Sequence, residues 1–74
     1  MNIEVKVFGL IAPHLPHLQA LEVPGTSSVG DVLTLLGLDE DLIGLITIDG
    51  RQSEVEDMVF NDCHLCFFPY MSGG

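Results

Sequence analysis

The residues with the clearest chemical potential in this chain are its last two, Gly73-Gly74, and a pair of cysteines three positions apart, Cys63 and Cys66. Glycine carries no Cβ, so a Gly-Gly end can adopt backbone angles closed to other residues and thread a channel too narrow for a side chain. That suits a tail which enters another protein's active site. The same Ser-Gly-Gly ending is also compatible with an ordinary frayed terminus. The cysteine spacing invites a redox or zinc reading, but such redox pairs sit at the start of a helix, whose dipole lowers a thiol pKa. Here Cys63-His64-Leu65-Cys66 falls in an apolar run that reads as a strand. Residues three apart on a strand point to opposite faces, which is poor geometry for chelation or a disulfide, and free cysteine packs as a small hydrophobe. His14, His17 and His64 could in principle complete a metal site, yet nothing in their spacing brings them together. Two cysteines also fall short of the four ligands of a ferredoxin-type cluster.

No Gly-rich loop opens a helix in phosphate-cradling style, and no Ser-His-Asp or Cys-His set is bracketed by a recognisable motif. An active site of the chain's own is therefore not expected. Attention returns to the carboxylate of Gly74. A carboxylate at neutral pH is a poor electrophile, because its charge repels nucleophiles and its oxygen leaves poorly. Joining it to AMP supplies a good leaving group, and attack by sulfide or a persulfide would then leave a thiocarboxylate able to donate sulfur. This chemistry needs a slender tail that is flexible at its tip, carried by a rigid body the activating enzyme can recognise.

The body must be small. The chain has 74 residues, near the lower limit for a single core without disulfides or metal, and 47% of them are hydrophobic, which favours one ordered domain over disorder. Eleven acidic residues stand against Lys6 and Arg51 alone, a formal charge of -9. Such a surface repels phosphate backbones and anionic lipid, and it matches a protein partner with a basic face. The charge is equally compatible with a role in solubility. No apolar run approaches the roughly 18 residues that span a bilayer. The opening Met1-Asn2-Ile3-Glu4 lacks the basic region of a secretory signal, so a cytoplasmic location is expected.

Residues 3–8 alternate with period two, placing Ile3, Val5 and Val7 on one face and Glu4, Lys6 and Phe8 on the other. Gly9 and Pro13-His14-Leu15-Pro16 predict a loop, residues 17–23 a second strand closed by Pro24-Gly25, and together a hairpin with a loose connection. Ser28 as N-cap, Asp31 three residues on, Val29, Val32, Leu33 and Leu36 at helical spacing, and Gly37 as a stop predict a helix of about three turns at most. Asp39-Glu40-Asp41 reads as a solvated acidic loop and residues 42–48 as a central strand. Asp49-Gly50 is the strongest short-range turn signal. Residues 51–57 look polar and irregular, Met58-Val59-Phe60 is a short apolar piece, Asn61-Asp62 is a further turn, and residues 63–69 form the last strand. The fold class is α+β, with a mixed sheet of four to five strands and one short helix packed across it.

At Phe67-Phe68-Pro69-Tyr70-Met71-Ser72-Gly73-Gly74 the chain resembles the sulfur-carrier family of the MoaD/ThiS type, which includes the small subunit of molybdopterin synthase and the thiamine-pathway sulfur carrier. Asn61-Asp62, Asp49-Gly50 and the helix between the second and third strands extend the likeness along the chain, although the octapeptide is its specific part. The resemblance implies a β-grasp, ubiquitin-like fold over residues 1–74, with 70–74 as a flexible tail. It implies that Gly74 is adenylated and thiocarboxylated, that Gly73, Ser72 and Met71 are recognised as the tail, and that Phe68, Pro69 and Tyr70 meet a partner. The chain would be a carrier rather than an enzyme, binding no cofactor or metal itself, while ATP serves the activating enzyme. The implied partners are an E1-like adenylating enzyme, a sulfur donor and the large subunit of a molybdopterin synthase, with neither nucleic acid nor membrane among them. Phe-Phe-Pro leans towards the molybdopterin or tungstopterin carrier, whereas Tyr70 stands where that tail usually has a second proline. The alternatives are a ubiquitin-like protein modifier, a thiamine-type carrier and, more distantly, a Cys/His metal-binding module. Independently of the resemblance, Phe68 must point away from the core if Leu65 and Phe67 face it, which makes it either an interface residue or a covered one.

Overall fold

The first and last strands lie side by side. In the computed structural model, which describes residues 1–9 and 11–70, β1 (Asn2–Val7) pairs in parallel with β5 (His64–Pro69), Glu4 opposite His64 and Val7 opposite Phe67. β2 (Leu18–Glu22) pairs antiparallel with β1, β3 (Ile43–Ile48) antiparallel with β5, and β4 (Arg51–Ser53) antiparallel with β3. The sheet order is β2-β1-β5-β3-β4. A single helix, α1 (Val29–Leu36), crosses between the second and third strands, and this is the mixed β-grasp arrangement expected.

The period-two alternation of β1 sets the core. Ile3, Val5 and Val7 are buried with Leu65 and Phe67 of β5 and with Ile43, Ile46 and Ile48 of β3, and Val29, Val32 and Leu33 of α1 close over them. The helix is delimited as its local chemistry requires. The Asp31 amide donates to the Ser28 hydroxyl at 3.1 Å and the Ser28 amide to the Asp31 carboxylate at 3.0 Å, a reciprocal capping box. Gly37, at φ 69°, ends it. Replacing Ser28 with alanine is expected to cost about 1 kcal/mol. The readout is a lower urea midpoint at unchanged slope.

Asp49 and Gly50 have φ of 52° and 83°, the two left-handed positions of a two-residue hairpin that joins Ile48 to Arg51. Here the structure corrects the expectation of an irregular stretch over residues 51–57. Arg51–Ser53 is β4, because the turn delivers these polar residues antiparallel to β3, where backbone pairing needs no apolar side chain. β3 is flanked on both sides, but β5 holds the middle of the sheet, and Leu45 of β3 faces solvent. Part of the acidic loop tightens into a 3-10 turn, Glu40–Leu42, capped by the Asp39 carboxylate. Among the described residues no helix is long and apolar enough to cross a membrane.

Candidate functional site

Because β1 and β5 run in parallel, the residues that follow them emerge at the same end of the sheet, and antiparallel β3 begins there too. Pro69 and Tyr70 therefore lie between the end of β1 and the start of β3, with Pro69 opposite Ile43. Met71, Ser72, Gly73 and Gly74, and with them the expected flexible tail, lie outside the described residues except for Tyr70. Tyr70 is 66% exposed.

One face of the sheet carries the helix and the other does not. Residues directly opposite one another in a ladder share a face, so the registers place Leu18 and Ala20 of β2, Glu4 and Lys6 of β1, His64, Cys66 and Phe68 of β5, and Leu45 and Thr47 of β3 together on the uncovered side. Leu18 and Leu45 are exposed there. Phe68 is half-buried, and its ring stacks on Phe8 with centroids 4.5 Å apart and planes 4° from parallel. The edge of His17 in turn meets Phe8 at 4.8 Å. The His17 ring is fixed by its Nδ1, which donates to the Val7 carbonyl at 2.9 Å. Phe68 thus points away from the core, as the parity of β5 requires, and Phe8 covers one side of its ring.

An acidic groove lies beside Tyr70. Glu40, Asp41, Glu54 and Glu56 line a groove with Gly44, Leu45 and Tyr70. Farther along the uncovered face, His64 is held from both sides. Its Nδ1 lies 3.2 Å from a Glu4 carboxylate oxygen, and its amide donates to the Asp49 carboxylate at 2.7 Å.

The cysteines take opposite sides, as strand alternation requires. Cys63 is wholly buried beside the core, where burial pushes its thiol above the ordinary value, while Cys66 lies half-buried on the uncovered face. A raised pKa keeps Cys63 as an unreactive thiol. No group of three or more His, Cys, Asp or Glu side chains able to hold a metal occurs among the described residues.

Phe8, Leu18 and Leu45 belong to the apolar part of the uncovered face and were not singled out from sequence. Phe8 carried a signal, since it occupies the side of β1 otherwise taken by Glu4 and Lys6. An aromatic in a polar register marks either a second apolar surface or a stacking partner. Leu18 and Leu45 carried none, because only the pairing registers reveal that they share a face with Phe68.

No protein-family model matches the chain, and no curated protein sequence matches it significantly. Solved structures do. SAMP1 from Haloferax volcanii superposes with a TM-score of 0.77 at 22% identity, covering 100% of both chains. A Pyrococcus furiosus protein assigned as subunit 1 of a molybdopterin converting factor gives 0.73 at 19% identity, over 92% of this chain and 95% of that one. A chain from the complex of subunits 1 and 2 of the Helicobacter pylori molybdopterin-converting factor gives 0.67 at 16% identity, with 100% of both chains covered. The chain therefore has the ubiquitin-like β-grasp fold, which it shares with these structures and with a second structure from H. volcanii, described as small archaeal modifier protein 1.

Proposed function

We propose that this chain is a sulfur carrier, acted upon rather than catalytic, whose Gly74 carboxylate is adenylated and then converted to a thiocarboxylate. The observation that carries the reading is the position of the last strand. β5 lies mid-sheet, paired with β1 as far as Phe67 and with β3 as far as Pro69, so Tyr70 follows directly on a strand held by two neighbours. That is the rigid body with a presentable end which the chemistry demands.

An E1-like enzyme would join the Gly74 carboxylate to the AMP moiety of ATP with loss of pyrophosphate. Sulfide then attacks the acyl carbon, the bond to the phosphate oxygen breaks, and AMP departs with one of the original carboxylate oxygens. With a persulfide donor, the acyl disulfide first formed is cleaved by a thiol to the same product. The uncovered face, with Phe68 stacked on Phe8 and with Leu45, Pro69 and Tyr70 beside it, serves as the docking surface. The acidic groove at the exit complements a basic partner, steering encounter more than strengthening it. Sulfur delivery in molybdopterin or tungstopterin synthesis fits the Phe-Phe-Pro approach to the tail best, with the large synthase subunit as the receiving partner in the cytoplasm. Thiamine-type delivery is the alternative within the same chemistry.

Intact mass measured after incubation with the adenylating enzyme, ATP and sulfide should rise by about 16 Da, as one oxygen is exchanged for sulfur on an activated carboxylate. An unchanged mass for the wild-type chain would refute the proposal. Full-length similarity to an archaeal modifier protein supports a second reading, in which the activated carboxylate is passed to a lysine amine. Lysine-linked conjugates on a denaturing gel, lost when Gly74 is deleted, would favour that reading over sulfur transfer.

A further inference from the structure

Two glycines far apart in sequence close on the same dipeptide. A Cβ built on Gly44 would lie 2.8 Å from Tyr70 Cα, 3.0 Å from the Pro69 carbonyl oxygen and 3.1 Å from the Tyr70 nitrogen, all of them backbone atoms. A Cβ on Gly9, which has φ +70°, would lie 2.7 Å from Pro69 Cγ and 3.3 Å from its Cδ. Neither position admits a side chain without moving the end of β5. Gly25 provides the contrast, since a Cβ there meets nothing within 4 Å.

The local hydrogen bonding explains why contact is needed at this point. Proline has no N–H to give the ladder, so Pro69 cannot donate to either neighbouring strand. On the facing strand the register shifts, with Ile43 opposite Pro69 but Leu45 opposite Phe68, which leaves Gly44 as the extra residue of a β-bulge. Where the ladder weakens, the Pro69 ring rests on Gly9 and the Tyr70 backbone rests against Gly44.

We infer that Gly9 and Gly44 form a collar that aims the tail, and so are positioning residues for charging of Gly74, an inference that rests on the function proposed above. The four residues after Tyr70 span at most about 14 Å, so the position of Tyr70 sets how far Gly74 can reach, and a shift at Tyr70 moves that whole range. A misplacement of 1 Å at a reacting centre can already cost about 100-fold in rate. Pro69 and Tyr70 also border the docking surface, so the mark of the collar is the fall in kcat itself, whereas a defect of docking alone raises KM and leaves kcat unchanged.

The test compares Gly44→Ala with Gly25→Ala and wild type in ATP-pyrophosphate exchange catalysed by the adenylating enzyme, and by backbone amide NMR of each protein alone. Gly44→Ala should lower kcat at least about tenfold, and Gly25→Ala should match wild type in both kcat and KM. In NMR the Gly44→Ala perturbation should reach Tyr70 and the residues beyond it. Wild-type kcat for Gly44→Ala, or a raised KM with unchanged kcat, overturns the collar. If Gly44→Ala does not fold, Pro69→Ala, which removes the ring resting on Gly9 without adding atoms, should show the same fall in kcat, and a wild-type kcat there overturns the inference. Absence of exchange with the wild-type chain refutes the proposed function instead. The NMR arm then still decides whether Gly44 governs the course of the chain after β5: a perturbation that stops at Tyr70 refutes this, and one that continues through the residues beyond Tyr70 upholds it.

Discussion

Replacing Gly73 with valine is expected to leave the domain folded and to slow charging of Gly74 by about 100-fold or more. The first half follows from where the core lies. Its buried residues run from Ile3 to Phe67, with Met1, Leu15, Leu21, Leu36, Leu38 and Val55 packed against them, so a change at Gly73 removes none of that packing. The second half follows from size and stiffness. In a channel shaped for a bare backbone the added carbons overpack, which costs about 1–3 kcal/mol or more. The β-branch narrows the angles the chain can take on entry. Each 1.36 kcal/mol is about tenfold in rate, so the upper part of that range is about 100-fold. Alanine at the same position should fall between glycine and valine. The rate of the gain in mass reads the series directly, with the thermal midpoint as the control for folding. A valine variant charged at the wild-type rate would show that narrowness at Gly73 is irrelevant, even if Gly74 is the residue that reacts.

The features legible in the sequence are those whose physical cause is local. The alternation of Ile3, Val5 and Val7 marks a half-buried strand because strand geometry alone puts every second side chain on one face. Ser28, Asp31 and Gly37 mark the helix because the groups they satisfy lie within a few residues of them. Asp49-Gly50 marks a hairpin because both of its positions must be left-handed. β4 was hidden for the complementary reason: Arg51–Ser53 has no apolar pattern, and its strand character comes from β3, which the turn brings alongside. The uncovered face of the sheet was half legible. Phe68 could be assigned from the parity of β5, whereas its stacking on Phe8 depends on the parallel pairing of strands sixty residues apart, as Glu4 opposite His64 shows. In the sequence Gly9 opens a loop, and Gly44 sits unremarked within the apolar run of residues 42–48. What makes them glycine is Pro69-Tyr70 at the other end of the chain, and no local window contains that contact.

Replacing Phe67 with alanine is expected to unfold most of the protein at room temperature, whereas the same change at Phe68 should leave it folded. The two side chains are sequence neighbours on β5 and differ in the face they occupy. Phe67 is 0% exposed, lies opposite Val7 of β1 and Ile46 of β3, and has the largest volume among the fully buried side chains. Truncating such a residue costs about 3–5 kcal/mol, since the transfer energy is lost and the cavity only partly collapses. The core of a domain this small rarely supplies more than about 3–5 kcal/mol in total, so a single cavity of this size consumes the margin. Phe68 instead loses its stack on Phe8, worth about 0.5–1.5 kcal/mol, plus the burial of one side of its ring. Urea titration of both variants checks the contrast. Equal midpoints would mean that the uncovered face contributes as much to stability as the helix-covered one, and the Phe8–Phe68 pair would then have to be read as a second core. A folded Phe68→Ala protein that also charges with raised KM and unchanged kcat would place that ring on the partner, because lost docking shows as weaker binding while the aim of the tail is preserved.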